Sequence, residues 1–253
     1  MENNNKQYIS LSSHKDLKDP RDRALYRFLE ILPAILSWGT LIGAFLLSWL
    51  APAPIAILII IFDLYWVLKI FYLSVHQITS FKRMQKNLKT DWFKKVKKIK
   101  DWEKIHHLII LPTYKEPKEI IKSSCQAIYE TKYPKDKITI ILTAEKRAGE
   151  KYYNIAKEIQ EEFKDKFFKF VITTHPDNIE GEVIGKGSNI AWGLKIAKEK
   201  VVQQLNTEKE NIIVSSFDID TKPYPQYFSC VSYHFLTAEN PTKSSYQPIP
   251  VYN

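Results

Sequence analysis

Apolar residues fall into two patterns along this chain, and the pattern changes near residue 105. From Ile31 to Leu50 runs an uncharged apolar stretch of about 20 residues, the length that crosses a hydrocarbon core of roughly 30 Å. Ala51-Pro52-Ala53-Pro54 interrupts it, and a second apolar stretch, Ile55 to Val75, follows with Asp63 and Lys69 inside it. The two predict a transmembrane helical hairpin over 31–76, behind a polar tail over 1–30. The first run is too long for a signal-peptide core, a charged tail precedes it and a second span follows at once, so an uncleaved anchor is expected. Asp63 either faces protein or water within the span or lies near the interface.

Between Phe81 and Trp102 the pattern becomes helical and basic. Trp92, Val96 and Ile99 fall on one stripe, with Phe93 beside it and lysines elsewhere. That arrangement predicts an amphipathic helix in the headgroup region, within an interfacial segment over 77–104.

From His106 short apolar runs alternate with helical periodicity. Strands are expected at His107 to Pro112, Lys137 to Leu142, Phe167 to Ile172, Ile212 to Phe217 and Ser245 to Val251. Helices are expected at Lys118 to Thr131, about Gly149 to Lys164, from an N-cap at Ser188 to about Gln204, and Tyr224 to Ala238. The connections are long enough for crossovers between parallel strands. The fold class expected over 105–253 is therefore α/β, a mostly parallel sheet with flanking helices.

Charge sharpens the picture. The net charge is +9, and between Lys82 and Lys104 ten basic residues face only three acidic ones. A basic excess gathered next to a membrane hairpin points to anionic membrane lipids, and no nucleic-acid partner is expected. The loop between the spans is uncharged while both outer flanks are basic. The positive-inside rule then puts both termini and the folded domain on the cytoplasmic side of the cell (inner) membrane, as a multi-pass protein. Cys125 and Cys230 form no metal or redox motif and fit a reducing compartment.

Candidate chemistry collects where strands end. Pro112-Thr113-Tyr114-Lys115-Glu116-Pro117 follows the first strand and Thr143-Ala144-Glu145-Lys146-Arg147 the second. Gly185-Lys186-Gly187-Ser188-Asn189 opens the third helix, and Asp218-Ile219-Asp220 closes the fourth strand. In a parallel sheet all four face one crevice. Asp218 and Asp220 offer hard oxygen ligands for Mg²⁺ or Mn²⁺ bridging phosphates. A helix N-terminus with glycines and Lys186 suits a diphosphate. The segment from Gly181 to Ser188 is no P-loop, because three residues separate Gly181 from Gly185 and Gly187 follows Lys186.

In this order the motifs resemble the nucleotide-sugar-binding half of the family-two glycosyltransferases, of GT-A fold, and most of all the membrane-integral branch with cellulose and hyaluronan synthases. The resemblance covers roughly the last 150 residues. It implies that Thr113, Tyr114 and Glu116 cradle base and ribose, with Lys115 replacing the commoner Asn. It implies Glu145 beside the base, although the usual Asp-Asp-Gly-Ser is absent there. Lys186 and Asn189 match a Lys-x-x-Asn element near diphosphate and sugar, and Asp218 and Asp220 match the metal-binding Asp-x-Asp. The implied activity is inverting, metal-assisted transfer from a nucleotide-diphospho-sugar donor, with a uridine diphosphate sugar expected first, to a glycan or lipid acceptor in polysaccharide biosynthesis. The family's acceptor segment and catalytic base would follow Val251, so the base is expected beyond Asn253 and the chain is expected to be the front part of a longer enzyme. The alternative is a membrane-bound scaffold that binds donor without a base. His106 and His107, at the far end of the first strand, are expected to be structural or solvated. His175 is expected in a solvated loop, or near donor phosphates.

Overall fold

The computed structural model describes residues 17–177, 179, 182–205 and 207–248. It divides after Thr90 into two units.

The first unit is two long helices, α1 (Pro20–Leu50) and α2 (Pro52–Lys89), joined through Ala51. Helix α1 begins earlier than the polar tail predicted for 1–30 allows. Asp19 caps it by accepting from the Arg21 N–H at 2.7 Å, and Pro20 at its first position brings a preset φ. Helix α2 runs past the predicted end at residue 76, because no glycine or proline interrupts the chain between Ile55 and Lys89. Both are long and apolar enough to cross a membrane. Several hydroxyls bond back within the helices: Thr40 donates to Leu36 O, Ser74 to Ile70 O and Thr79 to Val75 O, at 2.7–2.8 Å.

The second unit is an α/β fold. Four parallel strands, β1 (His106–Thr113), β2 (Ile138–Glu145), β3 (Lys169–His175) and β4 (Ile212–Ser216), lie in the order β3-β2-β1-β4. The two central strands are buried along their whole length, as strands covered on both faces must be. Helices α4 (Lys118–Tyr129), α5 (Glu150–Phe163) and α7 (Tyr227–Thr237) cover one face. There Ile109, Leu111, Ile140 and Leu142 pack with Ile121, Ile128, Ile159 and Phe228. Helix α6 (Lys186–Lys200) covers the other, with Ala197 and nearby Val201 against Leu108, Ile110 and Ile141. Gly193 lets α6 lie close: a Cβ there would stand 2.2 Å from Thr143 Cγ2.

Several sequence expectations are corrected here. The basic segment is not one helix over 81–102. Residues to Lys89 finish α2, the chain breaks at Thr90, and a short α3 (Trp92–Val96) belongs to the second unit. Its apolar stripe faces protein: Trp92 and Val96 are buried, with the Trp92 ring tilted against those of Tyr233 and His234 of α7 at 5.3 and 5.2 Å. The lysines at 94, 95, 97, 98 and 100 stay exposed. Strand β3 starts two residues later than expected, because Phe167 and Phe168 precede it, Phe167 stacking on Phe163 at 6.3 Å. Residues 245–248 form no strand, and the rest of the strand expected at Ser245 to Val251 lies outside the described residues.

His106 and His107 are structural and buried. His106 Nε2 bonds Thr139 Oγ1 at 2.9 Å, and His107 Nε2 bonds Ser232 Oγ at 2.8 Å. Burial, with Lys137 nearby, lowers His106 to about 4, opposed in part by Asp136. Burial, with His106 beside it, lowers His107 to about 3.

Candidate functional site

The strand order reverses between β1 and β4. From β1 the chain winds through β2 to β3, and α6 then carries it back across the opposite face to β4, on the other side of β1. In open α/β sheets the crevice beyond the strand ends at such a point is where ligands bind. A cleft of about 350 Å³ lies there, and all eight predicted site positions line it: Thr113, Tyr114, Glu116, Glu145, Lys186, Asn189, Asp218 and Asp220.

The two aspartates are aimed by strand alternation continued past the end of β4. Ile213, Ser215, Phe217 and Ile219 are buried, while Val214, Ser216, Asp218 and Asp220 are exposed. Phe217 N–H donates to Ile110 O at 3.1 Å, extending the ladder by one residue. The Ser124 hydroxyl of α4 donates to Ile219 O at 2.5 Å. With Phe217 and Ile219 anchored, Asp218 and Asp220 both turn to the cleft.

Helix α6 supplies the opposite wall. Ser188 is not its N-cap, as the sequence predicts, but its third residue. Gly185 is the cap; its N–H donates to Ser188 Oγ at 3.1 Å, and the Ser188 hydroxyl donates to Gly185 O at 2.8 Å. The helix therefore starts at Lys186, whose ammonium pairs directly with Asp218 Oδ1. Around Gly185 and Gly187 there is open space, with nothing within 4 Å of an added Cβ. Asn189 is buried and ties α6 to β2, its Nδ2 donating to Thr143 O at 2.9 Å. Its Oδ1 is buried with no hydrogen-bond partner.

The loop after β1 is closed by its own side chains. Glu116 Oε2 accepts from Thr113 Oγ1 at 2.7 Å and from the Tyr114 N–H at 2.6 Å. Beside it Glu145, at the end of β2 and buried, binds the Arg147 Nε. That bond raises the Arg147 pKa further. The Arg147 guanidinium also lies over the Tyr114 ring, 4.4 Å from its centre. The sequence named Arg147 only as part of a polar cluster; its partnership with Tyr114 needs the β1 and β2 ends side by side.

Glu145 also borders a second cavity of about 220 Å³, shared with Arg147 and the loop after β3. His175, expected in a solvated loop, instead ends β3 and is buried. It bonds Glu182 Oε1 at 2.7 Å and sets its ring edge-on to Trp192 at 5.6 Å.

Asp218 and Asp220 fit a divalent cation as a partial ligand set. Both are exposed carboxylates lining one cleft, and Asp218 already receives a cation, the Lys186 ammonium. Among the described residues no three His, Cys, Asp or Glu gather as a metal group. Two carboxylates match cations that complete their shell with phosphate oxygens and water.

No family model matches the sequence, and no curated protein matches it. Among solved structures the chain is similar to the mannosyltransferase PcManGT from Pyrobaculum calidifontis in complex with GDP-Man and Mn²⁺. The identity is 18%, the match covers 59% of this chain and 40% of that one, and the TM-score is 0.38. So distant a likeness assigns no activity; the functional reading rests on the cleft.

Proposed function

We propose that the chain is a membrane-anchored, metal-assisted glycosyltransferase of the GT-A type that binds a nucleotide-diphospho sugar in the β1/β4 crevice. The carrying observation is that Asp218, Asp220 and Lys186 share one cleft with the polar ends of β1 and β2. An acidic pair and a lysine at a helix start are the charges a metal-bridged diphosphate requires.

In this reading the diphosphate lies between the start of α6 and the aspartates. Lys186 leaves Asp218 for a phosphate oxygen, and Asn189 holds α6 against β2 so that this helix start stays in register. Thr113, Tyr114 and Glu116 receive the nucleoside, with Glu145 beside the base. Transfer forms a bond from the acceptor oxygen to the anomeric carbon as the bond to the diphosphate breaks, with inversion, and the acceptor proton passes to a base. Asp218 and Asp220 would hold Mg²⁺ or Mn²⁺, which when bound would supply charge stabilisation for the departing diphosphate.

Helices α1 and α2 support anchoring, since apolar residues such as Leu41, Phe45, Ile60 and Phe71 are all exposed. The lysines following them suit anionic lipid headgroups. A thermal-shift panel of nucleotide sugars on detergent-solubilised protein tests the reading. A rise in Tm that needs both nucleotide and Mn²⁺ supports it, and no shift with any pair refutes it.

A further inference from the structure

The proposed donor site leaves the nucleobase open, and the end of β2 carries a buried carboxylate paired with an arginine. Glu145 is buried, its Oε2 holds the Arg147 Nε, and the Arg147 guanidinium is stacked over Tyr114. Both borders of this pair are usable: Glu145 lines the crevice, and Glu145 with Arg147 lines the adjoining cavity. In that cavity Pro176 and Ile184 are apolar, while Asp177 and Glu182 add two more carboxylates. Apolar walls with a polar edge are what a flat heterocycle needs.

We propose that Glu145 and Arg147 select guanine, so that the donor nucleoside is guanosine and not the uridine the sequence resemblance implies; the inference rests on the donor-site reading. The hydrogen-bond inventory decides it. A carboxylate only accepts, and each oxygen has room for more than one donor. Guanine alone among the common bases presents two adjacent donors, N1–H and N2–H, next to the O6 and N7 acceptors. Glu145 takes the donor side, and the remaining guanidinium N–H groups of Arg147 take the acceptor side, the pairing that makes arginine a reader of O6 and N7. Uracil offers one N–H flanked by two carbonyls, so a second carboxylate oxygen would face a carbonyl lone pair. Adenine sets a ring-nitrogen acceptor against Glu145. Stacking on Tyr114 and the bond to Glu145 hold the guanidinium in place beforehand, which lowers the ordering cost of recognition.

Calorimetric titration of the full chain in detergent, with Mn²⁺, against GDP, IDP, UDP and ADP tests this. GDP is expected to bind at least about tenfold more tightly than UDP or ADP, with IDP, which lacks the 2-amino group, in between. Glu145→Gln is expected to remove the advantage of GDP over IDP. Arg147→Met is expected to bring GDP and IDP down together toward UDP. UDP or ADP binding as tightly as GDP overturns the guanine assignment and leaves the donor site standing, as does a GDP preference that survives both substitutions. No binding by any of the four overturns both.

Discussion

The Lys186 ammonium sits on Asp218 Oδ1, so the residue proposed to hold a metal is already neutralised by the residue proposed to hold the diphosphate. Metal and nucleotide should therefore bind as a pair. Diphosphate gives Lys186 a new partner and frees Asp218. Lys186→Met is expected to raise the affinity for Mn²⁺ alone about two- to fivefold, the scale of an exposed ion pair. The same variant should weaken nucleotide diphosphate about 10- to 100-fold, the loss of a charge-assisted phosphate contact. Calorimetry with each ligand alone and both together measures the two effects. Weaker binding of Mn²⁺ alone would refute the pairing.

Close packing of α6 on β2 sets where its first turn stands. Gly193→Ala puts a methyl 2.2 Å from Thr143 Cγ2, inside a buried, β-branched neighbour. Overpacking of this kind costs about 1–3 kcal/mol. Thr143 O is also the acceptor for Asn189, so nucleotide affinity should fall as well. Adding Thr143→Ser removes the clashing methyl and should restore most of the Tm. Failure of that rescue would show that the glycine serves another purpose.

The two buried histidines tie stability to pH. Their folded pKa values, about 4 and about 3, lie below the ordinary 6.5, so the unfolded chain takes up protons first as pH falls. Stability is full above roughly pH 7, declines from about 6.5 downward, and continues to decline until the folded pKa values are reached. At pH 5 the loss is on the order of 2 kcal/mol per imidazole. His107→Gln should flatten the Tm profile between pH 7 and 5; an unchanged slope would exclude His107 as its source.

Much of the second unit was legible because parallel strands covered on both faces leave unbroken apolar runs, as in His107 to Pro112. The Asp-x-Asp pair was legible as two carboxylates closing the apolar run Ile212 to Phe217; the alternation past Ser216 that leaves Phe217 and Ile219 inside is what gives them a common direction. The Phe81 to Trp102 segment was misread for a physical reason: a stripe of Trp92, Val96 and Ile99 is the same pattern whether it faces lipid or α7. Periodicity names a buried face and not what covers it. Phe167 misled likewise, since a buried aromatic ahead of a strand packs into the core as a strand residue does, while Phe168 beside it is exposed. Arg147 had no visible role because its contact with Tyr114 joins residues 33 positions apart through the β1 and β2 ends.

Trp92 gives the direct check on that correction. It is buried against Tyr233 and His234, with Lys95 Nζ 4.8 Å from its ring centre. Trp92→Ala should destabilise the second unit by roughly 3–5 kcal/mol, as large-to-small core changes do. A chain whose Trp92 faced lipid would keep its Tm.

The central claim is that Asp218 and Asp220 hold the cation that bridges to a nucleotide diphosphate. Asp220→Asn is the cleanest probe, because Asp220 is exposed and Asp218 keeps its bond to Lys186. Titration of the nucleotide diphosphate with and without Mn²⁺ should show cation-dependent binding in the unsubstituted chain. In the variant that dependence should vanish while Tm is unchanged. The same Mn²⁺-dependent titration curve in both proteins would contradict the account.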